Sequence, residues 1–425
     1  MNLPSNTMRE EWKNGWLLVL TSAMGFSIIT YFIPAIGFVM KSLQADFGWS
    51  RGEISSVVAI KSTVLIFASP FLGWAVDRYG PRRLALPGVI AFCITFAAIG
   101  LSGPNLASWY FAWTCYSIAA LFVSSTVWTA AVAGRFEKSR GLALGATIAG
   151  DGIGLAIVPP IAIWALANYD WRAVFFILAA AAFAFAFPLS YLFFYSKNDQ
   201  LGRRGKASQE QLAGLHHREV LRNSRFWRLA LAFFVGGGAI SAVRLHLFPM
   251  MTDLGISSSR AAAYFMLLGP MTIAGRLLCG FFMDRFPVYV VGSIVFAIPV
   301  VNSFLIPYIG TTHSVALLVV IIVGLSSGAE VDTISILCSR YFGLRSYGRN
   351  YAPLAALYSL GSGLAGALGG FLFDILGNYE LMIIIVGFAL ALASALIFSL
   401  GRPPDLESDS KLERFPIILD HNHMS

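Results

Sequence analysis

Seven ionisable side chains interrupt the apolar stretches of this 425-residue chain: Lys61, Asp151, Arg244, His246, Arg276, Glu330 and Asp332. A charge surrounded by hydrocarbon is expensive, so each is a candidate for function. A guanidinium stays charged at any depth and holds a carboxylate through two parallel hydrogen bonds, which makes Arg276 the candidate substrate-binding residue for an organic anion. Acids at comparable depth can bind and release protons. Asp151, Glu330 and Asp332 are therefore candidates for proton coupling, and His246 is either a proton relay or a helix-packing histidine. Lys61 reads as a snorkelling side chain or one half of a gate-side pair. The near balance of acids and fixed cations suggests internal pairs rather than a charged pore.

The elements that must position these groups are long and apolar. The chain is 57% hydrophobic and 12% charged, and runs of about 20 apolar residues, enough to cross a bilayer as a helix, recur along it. The runs are continuous and do not alternate, which excludes a β-barrel. Twelve transmembrane helices are expected, near 15–40, 54–77, 83–103, 106–133, 141–167, 171–195, 226–252, 260–284, 287–308, 314–340, 350–375 and 379–400. At about 1.5 Å per residue, Arg276 lies roughly 12 Å from Asp284, Asp151 roughly 15 Å from Gly141, and Glu330 and Asp332 roughly 15 and 12 Å from Arg340. All four depths are near the middle of a core about 30 Å thick. Arg244, His246 and Lys61 fall in the outer halves of their spans.

Lysine and arginine gather in alternate loops. Segments 103–106 and 309–313 have none, whereas Arg78, Arg82, Arg83, Arg135, Lys138, Arg140, Arg285, Arg340, Arg345 and Arg349 share the other side with a polar stretch at 196–225. The asymmetry places both termini in the cytoplasm of a multi-pass cell-membrane protein. It also accounts for the net charge of +8 without a nucleic-acid partner. Cys93, Cys115, Cys279 and Cys338 stand singly, with no spacing for a metal or a disulfide framework. The polar first fourteen residues and the long run from Gly15 argue against a cleavable signal peptide.

Between the second and third runs, Gly73-Trp74-Ala75-Val76-Asp77-Arg78-Tyr79-Gly80-Pro81-Arg82-Arg83 makes a tight basic turn. Its core returns at Gly280-Phe281-Phe282-Met283-Asp284-Arg285-Phe286, and the basic group at 135–141 has a counterpart at Arg340, Arg345 and Arg349 at nearly the same offset. A repeat of half the chain means two similar bundles. The expected organisation is a six-helix bundle over 1–195, a cytoplasmic linker over 196–225 with one amphipathic surface helix, a second six-helix bundle over 226–401, and a tail over 402–425. Charge set at a helix end beside a basic turn gives Asp77 and Arg78, with Asp284 and Arg285 in the repeat, a gating role.

The basic turn resembles the G-x-x-x-D-R-x-G-x-R-R signature loop of the major facilitator superfamily, with every fixed position present. Further stretches narrow the resemblance to bacterial monocarboxylate and oxalate/formate porters. These are Asp46-Phe47-Gly48-Trp49-Ser50-Arg51-Gly52-Glu53-Ile54, Asp170-Trp171-Arg172-Ala173-Val174-Phe175, His246-Leu247-Phe248-Pro249 with Asp253-Leu254-Gly255-Ile256-Ser257, and Gly275-Arg276-Leu277-Leu278-Cys279-Gly280. The resemblance implies an all-α major facilitator fold, a monomer, and an eighth-span arginine, here Arg276, that holds a substrate carboxylate. It adds Tyr116 and Tyr358 as cavity-lining hydroxyls and sets the fifth and eighth spans side by side, so that Asp151 would meet Arg276.

There are departures. Thr272 stands where animal members carry an acid one turn before the arginine, Ala35 follows Pro34 where they carry a lysine, and Ser359-Leu360-Gly361 replaces the eleventh-span lysine of the oxalate porters. The last of these argues against a small dianion. The expected function is secondary transport of a monocarboxylate or larger organic anion, coupled to a proton. The alternatives are a drug/proton exporter, which would carry Gly-Pro in the fifth span where this chain has Gly150-Asp151-Gly152-Ile153-Gly154, and a transporter-derived sensor. No nucleotide-binding motif calls for a cofactor, and no nucleophile–base or metal constellation calls for an enzyme. Two enzyme-like strings, Gly324-Leu325-Ser326-Ser327-Gly328 and Gly361-Ser362-Gly363-Leu364-Ala365-Gly366, lie inside apolar helices and read as packing surfaces.

Overall fold

Apolar runs closed by good caps become long helices. In the computed structural model, which describes residues 8–136, 139–195, 215, 217–343 and 347–404 without the side chains of 69, 70, 73, 77, 140, 347 and 348, almost every such run is helical. Eleven of the described segments are long and apolar enough to cross a membrane, and the helix Val57–Tyr79 completes a set of twelve. The spans that follow it are Pro81–Ile99, Leu106–Arg135, Gly141–Asn168, Trp171–Phe193, Ser224–Asp253, Ser258–Met283, Val288–Tyr308, His313–Phe342, Arg349–Leu376 and Glu380–Phe398. Asn105, Asp170 and Asn223 cap the fourth, sixth and seventh spans by accepting backbone N–H bonds. Ser50 and Glu53 form a reciprocal capping box at the head of the second.

The first span departs most from expectation. It runs Met8–Phe47, with a 3-10 turn at Ile28–Thr30 between its two helices, and ends at Gly48 in the left-handed region. Of the 196–225 linker, the structure describes Leu215 and residues 217–225, including the short helix His217–Arg222. The remainder, with any amphipathic helix there, lies outside the described residues, as do 405–425 of the tail.

The two halves meet through reciprocal pairs. The second span packs on the eleventh and the fifth on the eighth, so that position two of each half touches position five of the other; the first also meets the seventh. This is the two-fold relation expected of two similar six-helix bundles. Backbone-to-backbone contact allows the fifth and eighth spans to cross. Gly150 and Gly154, one helical turn apart, rest on the first span at Ala23 and Ser27, while Gly152, on the opposite side of the helix, rests on Gly269. The two enzyme-like strings are packing surfaces as well: Gly361 lies on Phe234, Gly363 on Ser62, and Gly328 on Thr272.

A side chain at the crossing has nowhere to go. A Cβ on Gly152 would lie 2.6 Å from the Gly269 carbonyl oxygen and from Ile273. Gly152→Val is therefore expected to destabilise the protein by about 1–3 kcal/mol, as overpacking of a dense interface does. A lower unfolding temperature in detergent is the readout, and wild-type thermal stability would contradict it.

Candidate functional site

The glycines that bring helices together also aim the charges. With Gly150 and Gly154 turned to the first span and Gly152 to the eighth, Asp151 is directed towards the middle of the protein. Gly275 lies on the Leu325 carbonyl, and a Cβ on Gly328 would sit 3.0 Å from the Arg276 backbone nitrogen. The tenth span therefore nests on the eighth beside Arg276 and delivers Asp332 to it. Arg276 Nε is 3.5 Å from Asp332 Oδ2, and its Nη2 is 4.0 Å from Asp151 Oδ2. The Arg276 side chain is 10% exposed, and its buried Nη1 has no hydrogen-bond partner among the described residues.

A second group sits against the first. The Tyr358 ring rests on Gly237, and its hydroxyl donates to Glu330 Oε1 at 2.8 Å. Glu330 is buried, and its Oε2 has no partner among the described residues. Arg244 lies within electrostatic reach of Asp151, Glu330, Tyr358 and Lys61, yet its buried Nε has no hydrogen-bond partner among the described residues. Lys61 neither snorkels nor pairs with an acid among the described residues. Its Nζ stands 3.2 Å from the centroid of the Phe32 ring, a cation–π contact.

Two of the residues singled out from sequence lie elsewhere. Tyr116 is fully buried among Phe92, Phe96 and Trp113 inside the first half, so its ring fills a core. His246 belongs to a different network, at the membrane face away from the termini. Its Nε2 contacts the Gly366 carbonyl at 2.9 Å and its Nδ1 the Tyr379 hydroxyl at 3.2 Å.

That network closes the far face, and its centre is Arg51, quoted above only as part of a motif. Its guanidinium donates to Asp253 Oδ2 at 2.6 Å and to the Tyr379 hydroxyl at 2.7 Å, and lies 3.7 Å from the Phe373 ring centroid. Its backbone N–H and that of Gly52 donate to the two oxygens of Asp374 at 2.8 and 2.7 Å. Lys41 adds a second bond to Asp253 at 2.7 Å. Every one of these charged contacts joins the first half to the second. The close approaches of the second and eleventh spans fall at the same end: Gly52 on Phe371, Gly370 on Ser55, and Gly363 on Ser62. Towards the termini, Phe67, Phe71 and Trp74 of the second span are exposed.

On the terminus side the signature residues are only partly described. The Asp77 side chain and Arg345 lie outside the described residues. Arg78 is exposed beside the Trp74 and Tyr79 rings, and Asp284 is exposed at the end of its helix. Arg285 folds back over Phe281, 3.6 Å from the ring centroid. Arg82 is the engaged member: it donates to the carbonyls of Ser190, Tyr191 and Phe194, capping the sixth span.

Comparison with known proteins agrees with this architecture. The Major Facilitator Superfamily model matches residues 15–365. Among curated proteins, Monocarboxylate transporter 13 of Rattus norvegicus is 24% identical, covering 95% of both chains. The Oxalate:formate antiporter of Oxalobacter formigenes is 25% identical, covering 91% of this chain and 90% of that protein. Among solved structures, a D-xylose-proton symporter superposes with a TM-score of 0.70 at 16% identity, covering 93% of this chain and 99% of its own.

Proposed function

We propose that this chain, which belongs to the Major Facilitator Superfamily, carries a monocarboxylate or larger organic anion across the cell membrane together with a proton, by alternating access. The observation that carries the reading is Arg276, nearly buried at mid-span and, among the described residues, held by two loose ion pairs with Nη1 unpartnered. An arginine in that condition is ready to accept a carboxylate in its fork. The curated relatives support a carboxylate, since their names describe carriers of monocarboxylates and of oxalate and formate.

The coupling follows from competition. An arriving carboxylate takes the guanidinium from Asp151 and Asp332, which hold it when the site is empty. A carboxylate deprived of its counter-charge in a dry cavity is more stable neutral, so one of the two takes up a proton as the anion binds. We assign that step to Asp151, which comes from the opposite half and so separates from Arg276 when the halves move. With the termini in the cytoplasm, the Arg51 network seals the outer face and the site opens inward. Asp77, Arg78, Asp284 and Arg285 serve the inner gate of what functions as a monomer.

Uptake of radiolabelled carboxylates into proteoliposomes, with and without an imposed pH gradient, tests the reading. Asp151→Asn is expected to keep substrate exchange and to lose accumulation driven by the gradient. Gradient-driven accumulation that survives in Asp151→Asn and disappears in Glu330→Gln would move the coupling step to the tenth span. Wild-type protein that moves no carboxylate under either condition would overturn the whole reading.

A further inference from the structure

Between its eighth, ninth and tenth spans the second half holds an apolar cavity of about 420 Å³. Cys279, Ser326 and Ala329 form its floor and are buried, whereas Leu278, Phe282, Phe286, Ile294 and Ile298 line its mouth and are exposed. Contacts fix the floor. Cys279 Sγ lies 3.7 Å from the Ala329 carbonyl oxygen and 3.6 Å from Thr333 Oγ1, which joins the eighth span to the tenth. A Cβ on Gly292 would lie 3.4 Å from Thr333 and 3.3 Å from Leu337, which joins the ninth to the tenth. The ninth span packs on the eighth, tenth and twelfth, away from the seam between the halves, so the mouth faces the bilayer. The lining runs from Phe286 to Gly275 on the eighth span and from Pro287 to Ile298 on the ninth. At about 1.5 Å per residue each stretch is about 16 Å long, half of a hydrocarbon core about 30 Å thick. The cavity is thus a groove that starts at the terminus-side edge and ends at mid-membrane, one leaflet deep.

Positive charge flanks the groove at its terminus-side end. Arg285 is exposed beside Phe286, with Nη1 donating to the Phe281 carbonyl at 3.3 Å. Arg340 is exposed at the end of the tenth span and follows Thr333 by two helical turns, so it leaves from the same face. Counted from the Cys279–Thr333 contact, Arg285 and Arg340 stand about 9 and 10.5 Å further along their helices, at one level. The helix Val288–Ala297 begins at the same edge without a side-chain cap, which adds partial positive charge. Asp284 is the acid beside them, and it is exposed.

We propose that this groove takes one acyl chain of an anionic phospholipid from the leaflet on the side of the termini, with the phosphate between Arg285 and Arg340. The chain fills a space of its own length and polarity, and the headgroup meets cations at the only end of the groove that reaches water. A zwitterionic lipid brings the same chain but carries its own cation, so it gains less from the two arginines. Gly275 precedes Arg276 and Ala329 precedes Glu330, so a chain in the groove packs on the two helices that carry the substrate site. This holds whichever solute is carried.

Native mass spectrometry of the purified full chain in detergent is the test, with dioleoyl phosphatidylglycerol and dioleoyl phosphatidylcholine titrated separately. Wild type is expected to bind one molecule of the glycerol lipid roughly 25-fold more tightly than the choline lipid, about fivefold for each arginine. Arg285→Gln and Arg340→Gln should each lower that ratio about fivefold, and the double variant should abolish it while leaving the choline lipid unchanged. Ser326→Leu and Ala329→Leu place a larger side chain on the floor, and each should lose the tight molecule of both lipids. A phosphatidylglycerol with a diazirine in mid-chain should label wild type within 275–298, which locates the chain even if neither filled variant folds. Absence of a saturable one-to-one complex, or equal affinity for the two headgroups, overturns the proposal. So does wild-type binding in both filled variants, or labelling confined to other spans.

Discussion

Arg276→Ala is expected to abolish measurable anion binding. Losing one partner of a buried, hydrogen-bonded charge pair costs about 2–5 kcal/mol, which is roughly 30-fold to several-thousand-fold in affinity. Two further effects deepen the loss. The variant leaves Asp151 and Asp332 without the cation that separates them, so the site becomes acidic where it was balanced. It also removes the eighth-span group on which the tenth span's acids are arranged. Arg276→Lys should fall between, because an ammonium keeps the charge but cannot span Nε, Nη1 and Nη2 with one planar fork. Binding in detergent and counterflow in proteoliposomes are the measurements. Wild-type affinity in the alanine variant would remove Arg276 from the site.

The second large effect is conformational. Arg51→Ala combined with Asp374→Asn is expected to shift the protein towards a state open at the face away from the termini. The Arg51 side chain is only 5% exposed, and it holds Asp253 and Tyr379 from the other half. Asp374 holds two backbone N–H groups across the same seam. The single Arg51 variant would leave the Asp374 contacts in place, so both substitutions are needed, and the Lys41–Asp253 pair remains in both. Losing about 2–3 kcal/mol of preference for the closed state changes the population ratio by roughly 30- to 150-fold. Spin labels at Ala107 and Asn378, exposed on that face in the two halves, should report a longer distance in the double variant. An unchanged distance distribution would mean that packing, rather than this network, keeps the face shut.

Much of the fold was legible because hydrophobicity is written locally. Runs such as 171–195 and 379–400 announce helices by length alone, and the spacing of Gly73, Asp77, Arg78 and Gly80 with its echo at Gly280, Asp284 and Arg285 announced the repeat. The juxtaposition of Asp151 with Arg276 was legible for a different reason: similar depth, together with the resemblance that puts their spans side by side. The far-face network was not. Arg51, Asp253 and Asp374 are ordinary loop-end charges when read singly, and 202 residues separate the first two while 323 separate the first from the third. Nothing at any one of them specifies its partners. His246 does lie in the outer half of its span, as its position implies, but depth along a helix does not say which side it faces, so its partners Gly366 and Tyr379 were not legible. Tyr116 shows the converse. An aromatic hydroxyl in an apolar run has the same appearance in sequence whether it lines a cavity or fills a core, and packing against Phe92, Phe96 and Trp113 is decided by three-dimensional neighbours.

The crossing of Gly152 on Gly269 has a mechanical consequence. Helices that interlock through large side chains must unmesh before they turn, one rotamer and one gap at a time. Here the Gly152 and Gly269 backbones touch directly, and only Ile273 and Ala156 flank the contact with side chains. Such a contact acts as a bearing. In the proposed alternating-access cycle it would turn with few side chains to unmesh. In that cycle resistance would concentrate at the rim, where the Arg51 bonds join the two halves. Lys41 and Asp253 of the rim are partly exposed while Arg51 is buried, so in the proposed cycle the solution on that side would reach the Lys41–Asp253 pair first.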